Sequence, residues 1–141
     1  MADRVSFDTS FLIDFQRERR APAGPTPAHD YMRANPAILP VISATALGEF
    51  AEGFESPTHP LINWVRQTHD VLPIDDDVAL VYGATARNLR ARGEMIGTND
   101  LWIAVTALCH GLPVVTADTK SFRRVPGLDV RLYRPEPAPL G

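Results

Sequence analysis

The chain alternates short apolar runs with longer stretches of helical periodicity. Arg4 to Asp8 reads as a first strand, with Val5 and Phe7 on one side. Thr9 or Ser10 then caps a helix through Phe11, Leu12 and Phe15 toward Arg20. Residues 21–27 hold three prolines and a glycine, which forbid regular pairing and predict a loop. A short helix is expected over Ala28 to Ala34, ended by Asn35-Pro36. Residues 37–42 are a nearly continuous apolar run, the pattern of a parallel strand buried on both faces.

Ser43 is a good N-cap for the next helix, where Leu47, Phe50, Ala51 and Phe54 fall on one stripe. Pro57 is expected to start another helix reaching His69, with Leu61, Trp64, Val65 and Thr68 on its apolar side. Val71 to Ile74 reads as a short strand, and Pro73 argues for a sheet edge. Asp75-Asp76-Asp77 opens a long helix to about Arg92, its inner face Val78, Val81, Tyr82, Thr85 and Leu89, stopped by Gly93. Residues 97–99 open one more helix, closed at Gly111. Residues 113–116 and 129–133 complete the strands. Strands separated by helical patterns predict an α/β layer with a central, mostly parallel β-sheet.

The 141 residues suit one domain, and 45% hydrophobic residues supply a real core. We expect a folded unit over residues 1–134 and a Pro-rich, disordered tail over 135–141. The N-terminus has no apolar signal core and no run approaches a membrane span, so a cytoplasmic protein without a membrane partner is expected. The single cysteine, Cys109, excludes an internal disulfide or a multi-Cys zinc cluster. Its apolar setting predicts a buried, inert thiol. Fourteen Lys and Arg against 17 Asp and Glu give a formal charge of −3, which speaks against a broad basic field for nucleic acid.

That charge looks different once the acids are placed. In an open parallel sheet, ligands bind beyond the carboxyl ends of the strands. Asp8 closes the first strand, and Asp118 lies two residues past Thr116 at the end of a later one. Asp100 sits in the first turn of a helix, and Glu49 near the second turn of the helix after Ile42. Four carboxylates scattered in sequence can thus meet at one edge. Such a cluster repels itself unless a cation neutralises it, and the hard cation for oxygen ligands is Mg²⁺ or Mn²⁺. Setting these four aside leaves 13 acids against 14 bases, a nearly neutral remainder. Each acid also has an ordinary use: Asp8 as a helix cap, Asp100 as a helix-dipole partner, Asp118 in a turn, Glu49 on a solvated face.

Five segments in order carry a resemblance: Phe7-Asp8-Thr9-Ser10-Phe11-Leu12-Ile13-Asp14, residues 42–49, Asn99-Asp100-Leu101-Trp102 through Leu108, residues 114–118, and residues 122–130. Together they resemble PIN-domain proteins, and within them the VapC-type toxins of bacterial toxin–antitoxin pairs. The resemblance spans about residues 4–133. It implies a PIN-like three-layer sandwich, a central sheet flanked by helices. It further implies a Mg²⁺-dependent endoribonuclease, the toxin of a type II toxin–antitoxin system, hydrolysing RNA phosphodiesters with metal-activated water. Carried over by position, Asp8, Asp100 and Asp118 bind metal, Glu49 binds it directly or through water, and Thr116 with Thr9 or Ser10 supplies supporting hydrogen bonds. A cognate antitoxin and a homodimer are the implied partners. Relatives often carry Arg where Ala117 stands, so one phosphate contact is missing here.

Basic clusters for an RNA backbone are Arg17-Glu18-Arg19-Arg20, then Arg87, Arg90 and Arg92, then Lys120, Arg123 and Arg124 beside Asp118. Trp102 is expected in the core rather than as a base-stacking platform. His29, His59, His69 and His110 lack metal-ligand spacing. The Phe11/Leu12/Phe15 face is a candidate groove wall for an antitoxin peptide, or plain core. The alternative function is a PIN-fold binding or regulatory module that docks an antitoxin-like protein with little nuclease activity. Phosphoryl transfer through an aspartate also follows a strand, but it needs a second paired Asp and a placed Lys that residues 8–10 do not offer.

Overall fold

A computed structural model describes residues 3–135. Five strands, β1 (Asp3–Phe7), β2 (Ile38–Ser43), β3 (Asp70–Leu72), β4 (Val114–Thr116) and β5 (Val130–Leu132), form one sheet in the order β3-β2-β1-β4-β5. All four pairings are parallel, so the sheet is wholly rather than mostly so. Seven helices connect them: α1 (Thr9–Arg20), α2 (Pro27–Ala34), α3 (Ala44–Glu52), α4 (Pro60–Thr68), α5 (Asp76–Ala91), α6 (Thr98–Cys109) and α7 (Thr119–Phe122). The expected tail lies, apart from Pro135, outside the described residues.

The central strand β1 is buried from Val5 to Phe7, and β4 is buried throughout. Phe7 stacks on Phe11 of α1 at 4.1 Å and meets Tyr31 of α2 edge-on. The chain moves outward from β1 to β2 and β3, then returns across β1 to β4 and β5. The strand order therefore reverses between β1 and β4. In sheets of this kind the carboxyl ends beside such a reversal are the usual place for a ligand.

Local chemistry explains most boundaries. Ser43 accepts from the Ala46 N–H and Asp75 from the Val78 N–H, each satisfying a free amide at a helix start. Gly93 and Gly111 have φ of 66° and 64°, the left-handed backbone that ends α5 and α6. Three expectations need correction, and one short helix was not among them. Asp8, not Thr9 or Ser10, caps α1, because its carboxylate reaches the Thr9 N–H. Helix α4 starts at Pro60 rather than Pro57, capped by the His59 ring, and it buries Ile62 and Val65 while Thr68 is exposed. Helix α7 carries no sequence signal, since four residues are too few to show a period. Cys109 is exposed, because it is the last residue of α6 where the helix leaves the core.

Candidate functional site

Asp8 ends β1, caps α1, and is only 7% exposed. Burial pushes its carboxyl above the usual range, and hydrogen bonds from Thr116, Thr9 and Ser10 pull it back. The Thr9 N–H donates to Oδ1 at 2.8 Å. The Thr116 hydroxyl donates to Oδ2 at 2.8 Å, and the Ser10 hydroxyl to the same oxygen at 3.1 Å. Both carboxylate oxygens are thus held in place before any ligand arrives.

The other three acids come from three other elements. Glu49 projects from α3, half-buried, and accepts the Thr9 hydroxyl at 2.8 Å. Asp118 follows β4 and caps α7, accepting from the Lys120 N–H, while its own N–H donates to the Thr116 hydroxyl at 3.0 Å. Asp100 lies in the first turn of α6, half-buried. Its carboxyl is pushed up to about 6, first by burial and then by the charges of Asp8, Glu49 and Asp118. Thr9 links Asp8, through its N–H, to Glu49, through its hydroxyl, and the Thr116 hydroxyl links Asp8 to the Asp118 main chain, so three of the four acids share one hydrogen-bonded set, with Asp100 near enough to feel their charges.

The four acids repel one another, and that repulsion adds to burial in raising the Asp100 carboxyl. Among the described residues, no three Asp, Glu, His or Cys side chains stand close enough to hold one ion as they are placed. The oxygen-only donor set, its concentrated negative charge and the fixed Asp8 fit a hard divalent cation. Holding one needs the half-buried Glu49 and Asp100 and the exposed Asp118 to turn their side chains inward.

The basic and aromatic candidates divide. Glu18 leaves its run of arginines and is buried, accepting from the Ala28 and His29 amides at 3.0 and 2.9 Å. The Arg19 guanidinium lies 5.8 Å above the Trp64 ring. Arg92 pairs with Glu94, and Arg124 reaches the Glu94 carbonyl. Lys120 is exposed beside Asp118. Trp102 is half-buried and stacks on Tyr82 at 3.8 Å, joining α5 to α6 as core packing. The histidines serve structure: His29 binds Glu18, and His59 caps α4.

Phe11 and Leu12 are core residues, and with Phe15 they line an apolar cavity of about 150 Å³ that none of the four acids touches. The concavity beside Glu49 is another one, about 310 Å³, walled by Ile13, Gln16, Arg17 and Arg20 on the opposite side of α1 and by Phe50 and Phe54. The Phe11/Leu12/Phe15 face is thus both core and the wall of an apolar concavity, and a second concavity lies on the other side of α1. Asp14 and Tyr133, joined by a hydrogen bond, carry no local sequence signal for that contact, since 119 positions separate them.

The PIN domain family model matches residues 5–128. Ribonuclease VapC1 of Methanocaldococcus jannaschii is 26% identical over 131 residues, covering 92% of this chain and 87% of the relative. Ribonuclease VapC of Rickettsia bellii is 29% identical over 123 residues, 87% of this chain and 91% of the relative. Among solved structures, VapBC-1 from nontypeable Haemophilus influenzae superposes with a TM-score of 0.74 at 26% identity, covering 92% of this chain and 98% of that one. VapBC2 from Rickettsia felis, bound to a promoter DNA fragment, has a TM-score of 0.78 at 20% identity over 93% and 99% of the two chains, a likeness of fold.

Proposed function

Since the chain belongs to the PIN-domain family, we propose that it is a Mg²⁺-dependent endoribonuclease, the toxin of a type II toxin–antitoxin pair. The observation that carries this reading is the gathering of Asp8, Glu49 and Asp118 through Thr9 and Thr116 beside the point where the strand order reverses, with Asp100 close enough to feel all three charges. The relatives' names, ribonuclease VapC, support the reaction class, and the VapBC structures support a protein antitoxin as partner. Homodimerisation and a cytoplasmic location complete the proposal. No described helix is long and apolar enough to cross a membrane.

Asp8, Asp100 and Asp118 would hold the cation, Mg²⁺ or Mn²⁺, with Glu49 binding directly or through water. When bound, such an ion supplies a hydroxide-like water at neutral pH and offsets charge on the phosphate. The chain's own part is to orient and to tune. Thr9, Ser10 and Thr116 fix the Asp8 oxygens, and Thr9 also aims Glu49. Asp100, which burial and the other three acids push up to about 6, would give up its proton when a cation takes up its oxygens. Lys120 beside Asp118, together with Arg17 and Arg20 along the adjoining concavity, offers cations for the flanking RNA phosphates.

Asp8→Asn removes the most deeply buried charge of the four while keeping its shape. It is expected to abolish Mg²⁺-dependent cleavage of a generic single-stranded RNA and growth arrest on expression. Cleavage at wild-type rate would sink the assignment. One observation favours the second reading, a PIN-fold docking module: among the described residues no three acidic side chains stand close enough to hold one ion. Titrating Mg²⁺ into the wild-type protein with RNA present separates the two. A docking module shows neither metal binding nor cleavage.

A further inference from the structure

One stripe of α1 runs from the acids to the far end of the helix. Thr9, Ile13, Gln16, Arg17 and Arg20 fall at the three- and four-residue spacings that share a helix face. At 1.5 Å per residue the stripe is about 16 Å long, more than one nucleotide can fill. Thr9 opens it and already belongs to the acid set, through its N–H to Asp8 and its hydroxyl to Glu49. The other four wall the concavity of about 310 Å³ beside Glu49.

The chemistry of this wall is divided. Ile13 is 38% exposed, and Phe50 and Phe54, with ring centroids 5.2 Å apart, make the α3 side apolar. Arg20 is exposed with no ion-pair partner among the described residues, and Arg17 pairs only loosely with Asp14, at 4.0 Å. Gln16 is the anomaly. It is 9% exposed, yet among the described residues its amide has no hydrogen-bond partner. Folded chains seldom leave a buried polar group unused. The amide is not sealed off either, since among the described residues the enclosed side-chain polar atom without a partner is Ser6 Oγ. Gln16 thus keeps its carbonyl and its NH₂ group free at the wall of the concavity.

We propose that this concavity is a nucleobase subsite for single-stranded RNA, with Gln16 reading the edge of the base that enters it. The proposal rests on the ribonuclease reading above and names the part of the substrate that the chain discriminates. An unstacked base has apolar faces and a hydrogen-bonding edge, and a primary amide donates and accepts at once on such an edge. Ile13 and the two phenylalanines suit the faces. Arg17 and Arg20, along the same stripe, suit the flanking phosphates. An apolar protein segment would leave both arginines without a counter-charge, so RNA is the favoured occupant.

The test is binding of labelled hexamers of adenylate, cytidylate and uridylate to the full chain, by fluorescence anisotropy in EDTA and low salt so that nothing is cleaved. Wild type is expected to separate the tightest hexamer from the weakest by about tenfold or more, the discrimination typical of a two-bond base contact. Gln16→Met keeps the length and removes both polar atoms, and the spread should shrink below about threefold. Exchanging an unpartnered amide for an apolar chain should leave the melting temperature level or higher. Arg20→Gln should weaken all three hexamers alike, with a shallower salt dependence and the spread kept. Equal binding of the three by wild type, or an unchanged spread in Gln16→Met, overturns the subsite. Absence of hexamer binding overturns it too and leaves the concavity to a protein segment. Should Gln16→Met fail to fold, Gln16→Leu replaces it under the same expectation. If the hexamers bind with the expected spread and neither they nor a mixed-sequence RNA is cleaved on adding Mg²⁺, the ribonuclease reading fails while the subsite stands.

Discussion

Asp100 offers the sharpest physical test, because its charge works against the fold. Its carboxyl rises from 3.8 to about 6 in the native chain. A raised native pKa means that the folded state binds the proton more tightly than the unfolded state. Stability is then undiminished below about pH 4 and falls as pH rises through 6. A shift of about two units, at roughly 1.4 kcal/mol each, sets a ceiling of about 3 kcal/mol above pH 6. Asp100 is half-buried, so solvent and salt screen part of this, and about 1–2 kcal/mol is the realistic loss. Asp100→Asn imitates the protonated acid in shape and should recover that amount. In a thermal melt at pH 7.5, low salt and EDTA, the variant should unfold roughly 3–8 °C above wild type for a chain of this size. The gap should close at pH 4. Added Mg²⁺ should stabilise the wild type and leave the variant unmoved. A variant no more stable than wild type at pH 7.5, or an advantage that survives at pH 4, refutes the argument, since ionisation would not be its source.

Other features yield simpler expectations. Glu18→Ala leaves the Ala28 and His29 amides without their carboxylate and should cost about 2–3 kcal/mol in urea unfolding, with Glu18→Gln less damaging. Gly111→Ala places a side chain at φ 64° where nothing crowds it, so the cost is conformational only, about 1 kcal/mol in the same assay. Cys109 is exposed, and partial desolvation of its thiol with the nearby Asp75 and Asp77 charges pushes its pKa up. It should react with an aromatic disulfide reagent in the native protein without denaturant, yet more slowly at pH 7.5 than a free thiol peptide; no reaction until unfolding would restore the buried reading.

Segments whose burial follows their own periodicity are legible in the sequence alone. The strand at β2, though its Leu39 is exposed rather than buried as the apolar run suggested, the Ser43 and Asp75 caps, and the glycines closing α5 and α6 are local events, set by a few neighbouring residues. The four carboxylates can be singled out for the same reason: each sits at the end of a strand or near the start of a helix. The sequence misleads where the decisive neighbour is remote. Glu18 reads as one more surface charge until α2 folds back and presents two bare amides to it. Cys109 reads as core because its preceding residues are core, and only the end of α6 turns it outward.

What the sequence by itself determined, then, is the order of elements, their caps and the acids at their ends, because helix and strand periods and capping are short-range. The tertiary structure decided which of those ends come together. The order β3-β2-β1-β4-β5 puts Asp8 and Asp118 on adjacent strands, brings α6 alongside with Asp100, and joins Asp14 to Tyr133 across 119 positions. Those placements depend on burying β1 and β4 at the centre of the sheet, a choice made by the whole apolar surface at once and by no single segment of it.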